Sequence, residues 1–192
     1  MNKKNVWLLL PTIIFPYAVL LTVATIFLAT EQQFFRIVME QVFHNNALYL
    51  LAALLLLCLL AAALSIIYFA LSICKKWDAV SLAKGAMIVK WVHVPAYIGI
   101  FIAGVCCFIT VFTIPFAIAF VLLDCFTLFL TGLLTLSAAV NAVRQGAAQT
   151  KEVLWMVILQ FVFCADVISA TLLYAKLKKN TGLSKDIRNE NI

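Results

Sequence analysis

The sequence predicts an all-α protein, a polytopic transmembrane helix bundle of about five spans with one interfacial amphipathic helix. Of its 192 residues, 66% are hydrophobic and only 11% are charged, whereas soluble domains are about half apolar and about a quarter charged. The apolar residues form long runs that reach the ~20 residues a bilayer-spanning helix needs. We therefore expect one membrane domain at residues 1–175 and a polar C-terminal tail at residues 176–192.

The first predicted span covers residues 6–30 and follows a short basic start. Such a start before an apolar run is also typical of a secretory signal. This run is longer than a signal core and contains Pro11 and Pro16, so a retained, bent helix is favoured over a cleaved signal. Residues 31–46 then place apolar side chains at three-to-four spacing, which predicts an amphipathic helix in the membrane interface.

Four further apolar runs complete the predicted bundle, at residues 47–74, 87–111, 116–143 and 153–174. The apolar stretch from 86 to 143 is divided at Pro115, because the residue before a proline is pushed away from helical backbone angles. Asp78 is expected to cap a short helix that stops at Gly85, between the second and third spans.

Five spans place the two chain ends on opposite sides of the membrane. With the N-terminus inside, eight Lys and Arg residues lie on the cytoplasmic side and six on the outer side, five of the six in the basic tail. The positive-inside rule favours this orientation, although the basic tail argues against it. We expect a cytoplasmic N-terminus.

Two carboxylic acids lie within the apolar runs, Asp124 in the fourth predicted span and Asp166 near the centre of the fifth. Helical steps of three and four place Thr127 and Thr131 on the face of Asp124, and Ser169 on the face of Asp166. Small and hydroxyl-bearing side chains allow helices to approach and to hydrogen-bond in lipid. These five residues form the candidate intramembrane polar site.

The burial of an ionised aspartate at mid-bilayer costs about 2.5–3.5 kcal/mol. The helix rise places Lys90 out of reach of Asp124, and His93 about 9 Å from the depth of Asp166. We therefore expect both carboxyls to be largely protonated and to donate hydrogen bonds across helices. Two roles stay open for them: packing between helices, or a polar cavity that exchanges protons or binds a cation.

Lys90 and His93 open the third predicted span, and Pro95 is expected to bend it. A bent, cationic helix start is a candidate contact for lipid head groups. The alternative is a helix anchor in which Lys90 extends its stem toward phosphate. Gly99 begins a stripe of small residues at every fourth position, which predicts a close helix contact.

Catalytic, phosphate-binding and dinucleotide-binding motifs do not occur in the sequence. The two histidines and six cysteines have neither metal-site nor CxxC spacing. We expect no enzyme activity, no cofactor and no metal. The net charge of +6 lies at the ends of apolar runs, so the expected partners are the lipid bilayer and other membrane proteins, not nucleic acid.

Residues 90–98, KWVHVPAYI, have the pattern K-x-x-x-[IV]-P-A-Y-[IL]. This run resembles that of small multi-pass membrane proteins of unknown function in Gram-positive bacteria. The resemblance implies a bacterial plasma membrane and carries over no catalytic or binding residue. The predicted function is that of an accessory or structural membrane component. The alternative is a small transporter or channel subunit that uses its buried carboxyls for proton or cation handling.

Overall fold

The computed structural model describes residues 7–28, 31–109, 111–162 and 165–190, without the side chains of residues 27, 112, 161 and 182–190. These residues form seven α-helices and no strand, which confirms the all-α prediction. The helices are α1 Leu10–Leu28, α2 Gln33–Ile37, α3 Ala47–Cys74, α4 Ala79–Cys107, α5 Ile114–Arg144, α6 Thr150–Ile158 and α7 Ala165–Glu190. Shorter helical turns adjoin α1 at Trp7–Leu9, α2 at Val38–Val42, α5 at Val111–Thr113 and α6 at Leu159–Phe161.

Four helical segments are long and apolar enough to cross a membrane. They are Trp7–Ile26, Ala47–Cys74, Ala79–Cys107 and Ile114–Arg144. These segments overlap the first four predicted spans, although the predicted limits of the first span, residues 6 and 30, lie outside the described residues. Helix α2 and its adjoining turn occupy the connection between the first two segments, where the interfacial helix was predicted.

Helix α4 begins where the sequence predicts a cap but does not stop where a stop was predicted. The Asp78 carboxylate accepts a hydrogen bond from the backbone N–H of Ser81 at 2.8 Å, as an N-cap does. The prediction that Gly85 ends this helix is wrong, since α4 continues unbroken to Cys107. A helix end inside the bundle would leave backbone groups without partners in an apolar environment. The third span therefore starts eight residues earlier than predicted.

Helices α1, α4 and α6 begin, and α3 and α5 end, at one end of the bundle. There Arg144 Nη1 donates to the carbonyl of Ile73 at 3.1 Å. The side-chain oxygen of Gln145 accepts from the backbone N–H of Ala79 at 3.2 Å. We call this end the basic face, because most cations of the described chain lie there. A cluster of buried apolar side chains from α3, α4, α5, α6 and α7 lies directly beneath it.

The fifth predicted span, residues 153–174, is not one continuous helix. Helix α6 ends at Ile158, one tighter turn follows, and Val162 is extended, with φ −102° and ψ 121°. A new helix, α7, begins at Ala165 and continues to Glu190. The polar tail predicted from residue 176 is thus a continuation of α7 through Glu190, and residues 191 and 192 lie outside the described chain.

Helices α6 and α7 form an antiparallel hairpin. Near its base, Lys176 pairs with Glu152 at 2.5 Å, and this hydrogen bond lowers the pKa of the Glu152 carboxyl. Further along, Asn180 Nδ2 donates to the carbonyl of Ala147 at 2.9 Å. These contacts return α7 to the end at which α6 began. The hairpin therefore enters and leaves the bundle at the basic face.

The bends and close contacts predicted from Pro95 and Gly99 lie where α4 meets α1. Pro95 lies inside α4, where it removes one backbone donor and loosens the preceding turn. The hydroxyl of Tyr17 donates to the backbone carbonyl of Val92 in that turn. At Gly99, an added Cβ would lie 2.9 Å from a methyl carbon of Leu20. The absence of a side chain there lets the two helices approach.

The hairpin gathers the positive charges at one end. Of the ten Lys and Arg side chains that the structure describes, eight lie at or near the basic face: Lys75, Lys76, Lys84, Arg144, Lys151, Lys176, Lys178 and Lys179. Arg36, near the opposite end, lies 4.0 Å from Glu40, and Lys90 is buried within the bundle. The expectation that the chain ends lie on opposite sides is corrected, because Trp7 and the distal half of α7 share the basic face.

Single cysteines in a cysteine-free variant test this topology. We expect Gln149→Cys and Lys178→Cys to react with a membrane-impermeant maleimide from the same side of sealed vesicles, because both residues are exposed near the basic face. Glu31→Cys, after α1, should react from the other side and serves as the control. If Lys178→Cys reacted from the same side as Glu31→Cys, α6 and α7 would cross the membrane. That result would contradict the hairpin.

Candidate functional site

An ion pair between Lys90 and Asp166 lies at the centre of the bundle. Lys90 Nζ lies 2.8 Å from Asp166 Oδ2, and the two side chains are 0% and 1% exposed. The ammonium also lies 3.4 Å from Thr131 Oγ1. The pair joins α4 to the hairpin through α7, and Thr131 adds α5 to the contact. A charge-assisted hydrogen bond of this length is among the stronger polar contacts in proteins.

The helices bring the two charges to the same depth from the same end. Lys90 lies eleven residues after the start of α4, about 16 Å along the helix axis. Asp166 lies in the first turn of α7, ten residues before Lys176, or about 15 Å from the basic face. An acidic side chain in a first turn also faces the positive end of the helix dipole. Both groups therefore reach the middle of the ~30 Å hydrocarbon core.

This arrangement corrects the predicted roles of Lys90 and His93. Both side chains are fully buried, so neither contacts lipid head groups. The expectation that Asp166 has no cation within reach is also wrong. It rested on a third span that began at residue 87, whereas the longer α4 moves Lys90 inward from the membrane boundary.

The predicted site residue Ser169 belongs to the interior of the hairpin. Ser169 Oγ donates to the carbonyl of Met156 at 2.5 Å and accepts from Gln160 Nε2 at 2.8 Å. On one straight helix Gln160 and Ser169 would point to different sides, and the break between α6 and α7 lets them meet. This role of Gln160 was not predicted from the sequence. The signal was present as an amide inside an apolar run.

The threonine hydroxyl groups of α5 lie on one buried face of the helix, as predicted for Thr127 and Thr131, but Asp124 is set apart from the ion pair. Thr127, Thr131 and Thr135 are all buried, and Thr127 Oγ1 donates back to the carbonyl of Leu123 at 2.9 Å. Asp124 lies seven residues before Thr131, about 10 Å along the axis, and away from the basic face. The structure thus brings Asp166 and Thr131 together and leaves Asp124 one layer away.

Several buried polar atoms of the bundle have no hydrogen-bond partner in the described part of the chain. They include both ring nitrogens of His93, Thr135 Oγ1, Gln160 Oε1 and Asp124 Oδ1. The His93 ring lies near the backbone carbonyls of Thr12 and Ile13, but outside hydrogen-bond geometry. Buried polar atoms in folded proteins are nearly always satisfied, often by water. No group of three described His, Cys, Asp or Glu side chains is arranged to hold a metal ion.

A lateral cavity of about 620 Å³ lies between α4 and α7, next to the ion pair. Its walls are almost entirely apolar, and Asp166 is the one charged residue among those that line it. The lining residues are Trp91, Val94, Tyr97, Ile98, Phe101, Asp166, Val167 and Ile168. Four of them are more than half exposed on the outside of the bundle: Trp91, Ile98, Phe101 and Ile168. The cavity therefore opens toward the surface that faces lipid. Asp124 is not part of its lining.

One comparison with known proteins gives a match. A family model described as Family of unknown function (DUF6652) matches residues 3–179, which is most of the chain and agrees with the resemblance to an uncharacterised family noted in residues 90–98. No curated protein matches the chain, and no solved structure does.

The ion pair makes a direct prediction about stability. Lys90→Met leaves the Asp166 carboxylate buried and unpaired, and we expect it to lower the free energy of unfolding by about 3–5 kcal/mol. The double variant Lys90→Met/Asp166→Leu should recover most of that loss, since it removes both charges. Chemical unfolding in detergent measures the effect.

Lys84→Met is the matched control, because Lys84 lies on the same helix but is exposed. We expect it to change the free energy of unfolding by less than about 0.5 kcal/mol. Equal losses from Lys84→Met and Lys90→Met would contradict a structural role for the pair.

Proposed function

We propose that this chain, which belongs to the family of unknown function DUF6652, binds a lipid-soluble amphipathic molecule in the cavity between α4 and α7. The observation that carries the proposal is an acidic residue, Asp166, among the lining residues of a cavity that is otherwise apolar. Small-molecule sites typically have a volume of about 300–1,000 Å³, mostly apolar walls and a few polar groups that orient the ligand. A ligand of this kind enters from the bilayer, because the cavity opens on the outer surface of the helices.

The chemistry of Asp166 selects the polar group of the ligand. Lys90 Nζ donates to one oxygen of this carboxylate, Oδ2, and an ionised carboxylate accepts several hydrogen bonds on its two oxygens. A long-chain amine or alcohol would donate a hydrogen bond to the Asp166 carboxylate and place its alkyl chain along Val94 and Phe101. An anionic amphiphile is repelled by the carboxylate. The expected ligand therefore has a donor head and an apolar body.

This role makes the protein an accessory membrane component that holds a ligand, not an enzyme. The residues that line the cavity include one acid and no nucleophile placed beside a base. Nucleophilic catalysis requires such a base, whereas binding does not. The proposed partners are the lipid bilayer and a molecule dissolved in it. The hydrophobic outer face of α3, with Leu55, Leu56 and Leu59 about 60–70% exposed, supports residence in lipid or beside another membrane protein.

We further propose that the basic face is cytoplasmic, in a bacterial plasma membrane. Positive charges near span ends are retained on the cytoplasmic side, and the hairpin gathers eight described cations there against Arg36 near the other end. This difference in positive charge between the two ends is larger than the eight against six of the five-span topology, and it supports a cytoplasmic N-terminus. The maleimide reaction described above, performed on intact cells, gives the orientation.

Photolabelling tests the proposed ligand site. We expect a long-chain alkyl amine that carries a diazirine to label wild-type protein in detergent micelles, and Val94→Trp to reduce labelling about tenfold because the indole fills the cavity. A long-chain alkyl sulfate with the same diazirine should label weakly, since Asp166 repels it. Peptide mapping should place the amine label on α4 and α7.

Leu55→Trp is the control for a large side chain, because Leu55 is exposed on α3, away from the cavity. It should label as the wild type does. Labelling that is unchanged in Val94→Trp, or equal for the amine and the sulfate, would rule out this site.

A second candidate function is proton handling at the same ion pair. The polar atoms without partners near Lys90, including those of His93 and Thr135, support it, because water molecules that satisfy them would connect the pair to neighbouring groups. In this case a proton competes with Lys90 for Asp166. Two states of the pair would then differ in how firmly the hairpin is held against α4.

Proton flux into proteoliposomes tests this candidate. We expect flux above that of protein-free vesicles, and a loss of at least about tenfold in Asp166→Asn, which keeps the side-chain size but does not titrate. Glu40→Gln is the control, since Glu40 is exposed near the end opposite the basic face. Equal flux in wild type and Asp166→Asn would exclude proton handling at this pair and would leave the ligand site untouched.

A further inference from the structure

A second, smaller cavity of about 310 Å³ lies in the basic face, between the end of α5 and the turn that joins α3 to α4. It is lined by Lys76, Asn141, Arg144 and Gln145. Two of its four lining residues are cations and none is an acid. Asp78, the acidic residue nearest in sequence, caps α4 through Ser81 and is not among the lining residues. The cavity is therefore a positively charged pocket at the level of the membrane boundary.

Hydrogen bonds hold two sides of this pocket in place. Arg144 Nη1 donates to the carbonyl of Ile73. Gln145 Nε2 donates to the carbonyl of Trp77 at 2.9 Å, while its oxygen accepts from Ala79. The end of α5 is thereby tied to both ends of the connecting turn. Lys76 makes no ion pair in the described chain, so its ammonium is available to a ligand.

The buried residue Asn141 adds an acceptor to the pocket. Its side chain is 0% exposed, and Nδ2 donates to the carbonyls of Ser72 at 3.2 Å and Ser137 at 2.9 Å. Because both partners are carbonyl oxygens, the amide orientation is fixed: a flipped amide would oppose oxygen to oxygen. The remaining atom, Oδ1, is buried and has no partner among the described residues. A donor other than these residues, such as a water molecule or a ligand hydroxyl, would satisfy it.

We infer that this pocket binds the head group of an anionic phospholipid, in which the phosphate pairs with Lys76 and Arg144 and a hydroxyl donates to Asn141 Oδ1. A phosphodiester that carries a free hydroxyl, as in phosphatidylglycerol, supplies both groups. Basic pockets between transmembrane helices at the membrane boundary are typical sites for such heads. The volume lies at the lower end of small-ligand pockets, which suits a head group whose acyl chains stay in the bilayer.

Native mass spectrometry of the full chain in detergent, titrated with single lipids, tests this inference. We expect phosphatidylglycerol to bind about tenfold more tightly than phosphatidylcholine, and Lys76→Gln or Arg144→Gln to remove most of that preference. Phosphatidylethanol, an anionic phosphodiester without a hydroxyl on its head group, should bind several-fold more weakly than phosphatidylglycerol, because it leaves Asn141 Oδ1 without a donor. This comparison needs no change in the buried asparagine.

Lys84→Gln is the matched control, an exposed cation near the same face that does not line the pocket. It should keep the preference for phosphatidylglycerol. An equal loss in Lys84→Gln and Lys76→Gln would mean that diffuse positive charge attracts the lipid and would overturn the site. Competition by soluble glycerol phosphate at equal concentration would assign the pocket to a free phosphate ester and would overturn the lipid assignment. Lys76→Gln removes an exposed side chain without an ion pair, so loss of folding does not obscure the result.

Discussion

The bundle depends on a charged contact that is buried away from bulk solvent. Lys90 and Asp166 meet at 2.8 Å with almost no exposure, and each neutralises the cost of burying the other. A lone charge at this depth costs several kcal/mol, so neither residue is tolerable without its partner. The pair also joins a spanning helix, α4, to a hairpin whose tip has non-helical backbone. Such backbone persists at membrane depth only where protein or water surrounds it. The ion pair holds the hairpin against α4, so its tip is packed against protein.

Composition and helix-forming pattern determine much of this architecture. The first four spans follow from apolar runs, and the start of α4 follows from Asp78, whose carboxylate caps it. The partner of Asp166 was missed because a third span that begins at residue 87 places Lys90 about 12 Å too near the membrane boundary. The apolar residues before and after the break have the same helical period. No periodic signal therefore separates α6 from α7, and only the polar side chains of Gln160 and Asp166 mark the reversal.

The polar groups of the membrane interior divide into layers with different surroundings. The pair and Thr131 form one layer, the hydroxyl of Ser169 closes the hairpin beside it, and Asp124 lies in another layer toward the opposite end. A sequence places residues on helix faces but does not determine which faces meet across the bundle. Of the five residues predicted as one polar site, Asp166 and Thr131 therefore meet, whereas Ser169 lies inside the hairpin and Asp124 lies apart. The lateral cavity adjoins only the layer of the ion pair, through Asp166.

The hairpin also bears on how the chain is built into the bilayer. In the proposed topology α6 and α7 enter and leave the bilayer by the same face, so the charged segment that follows Lys176 does not have to cross hydrocarbon. Lys90 is synthesised long before its counter-ion, and it waits among the spanning helices until the C-terminal hairpin docks. Assembly can thus end with a step in which an already inserted helix group receives its last element from the aqueous side, with no further translocation.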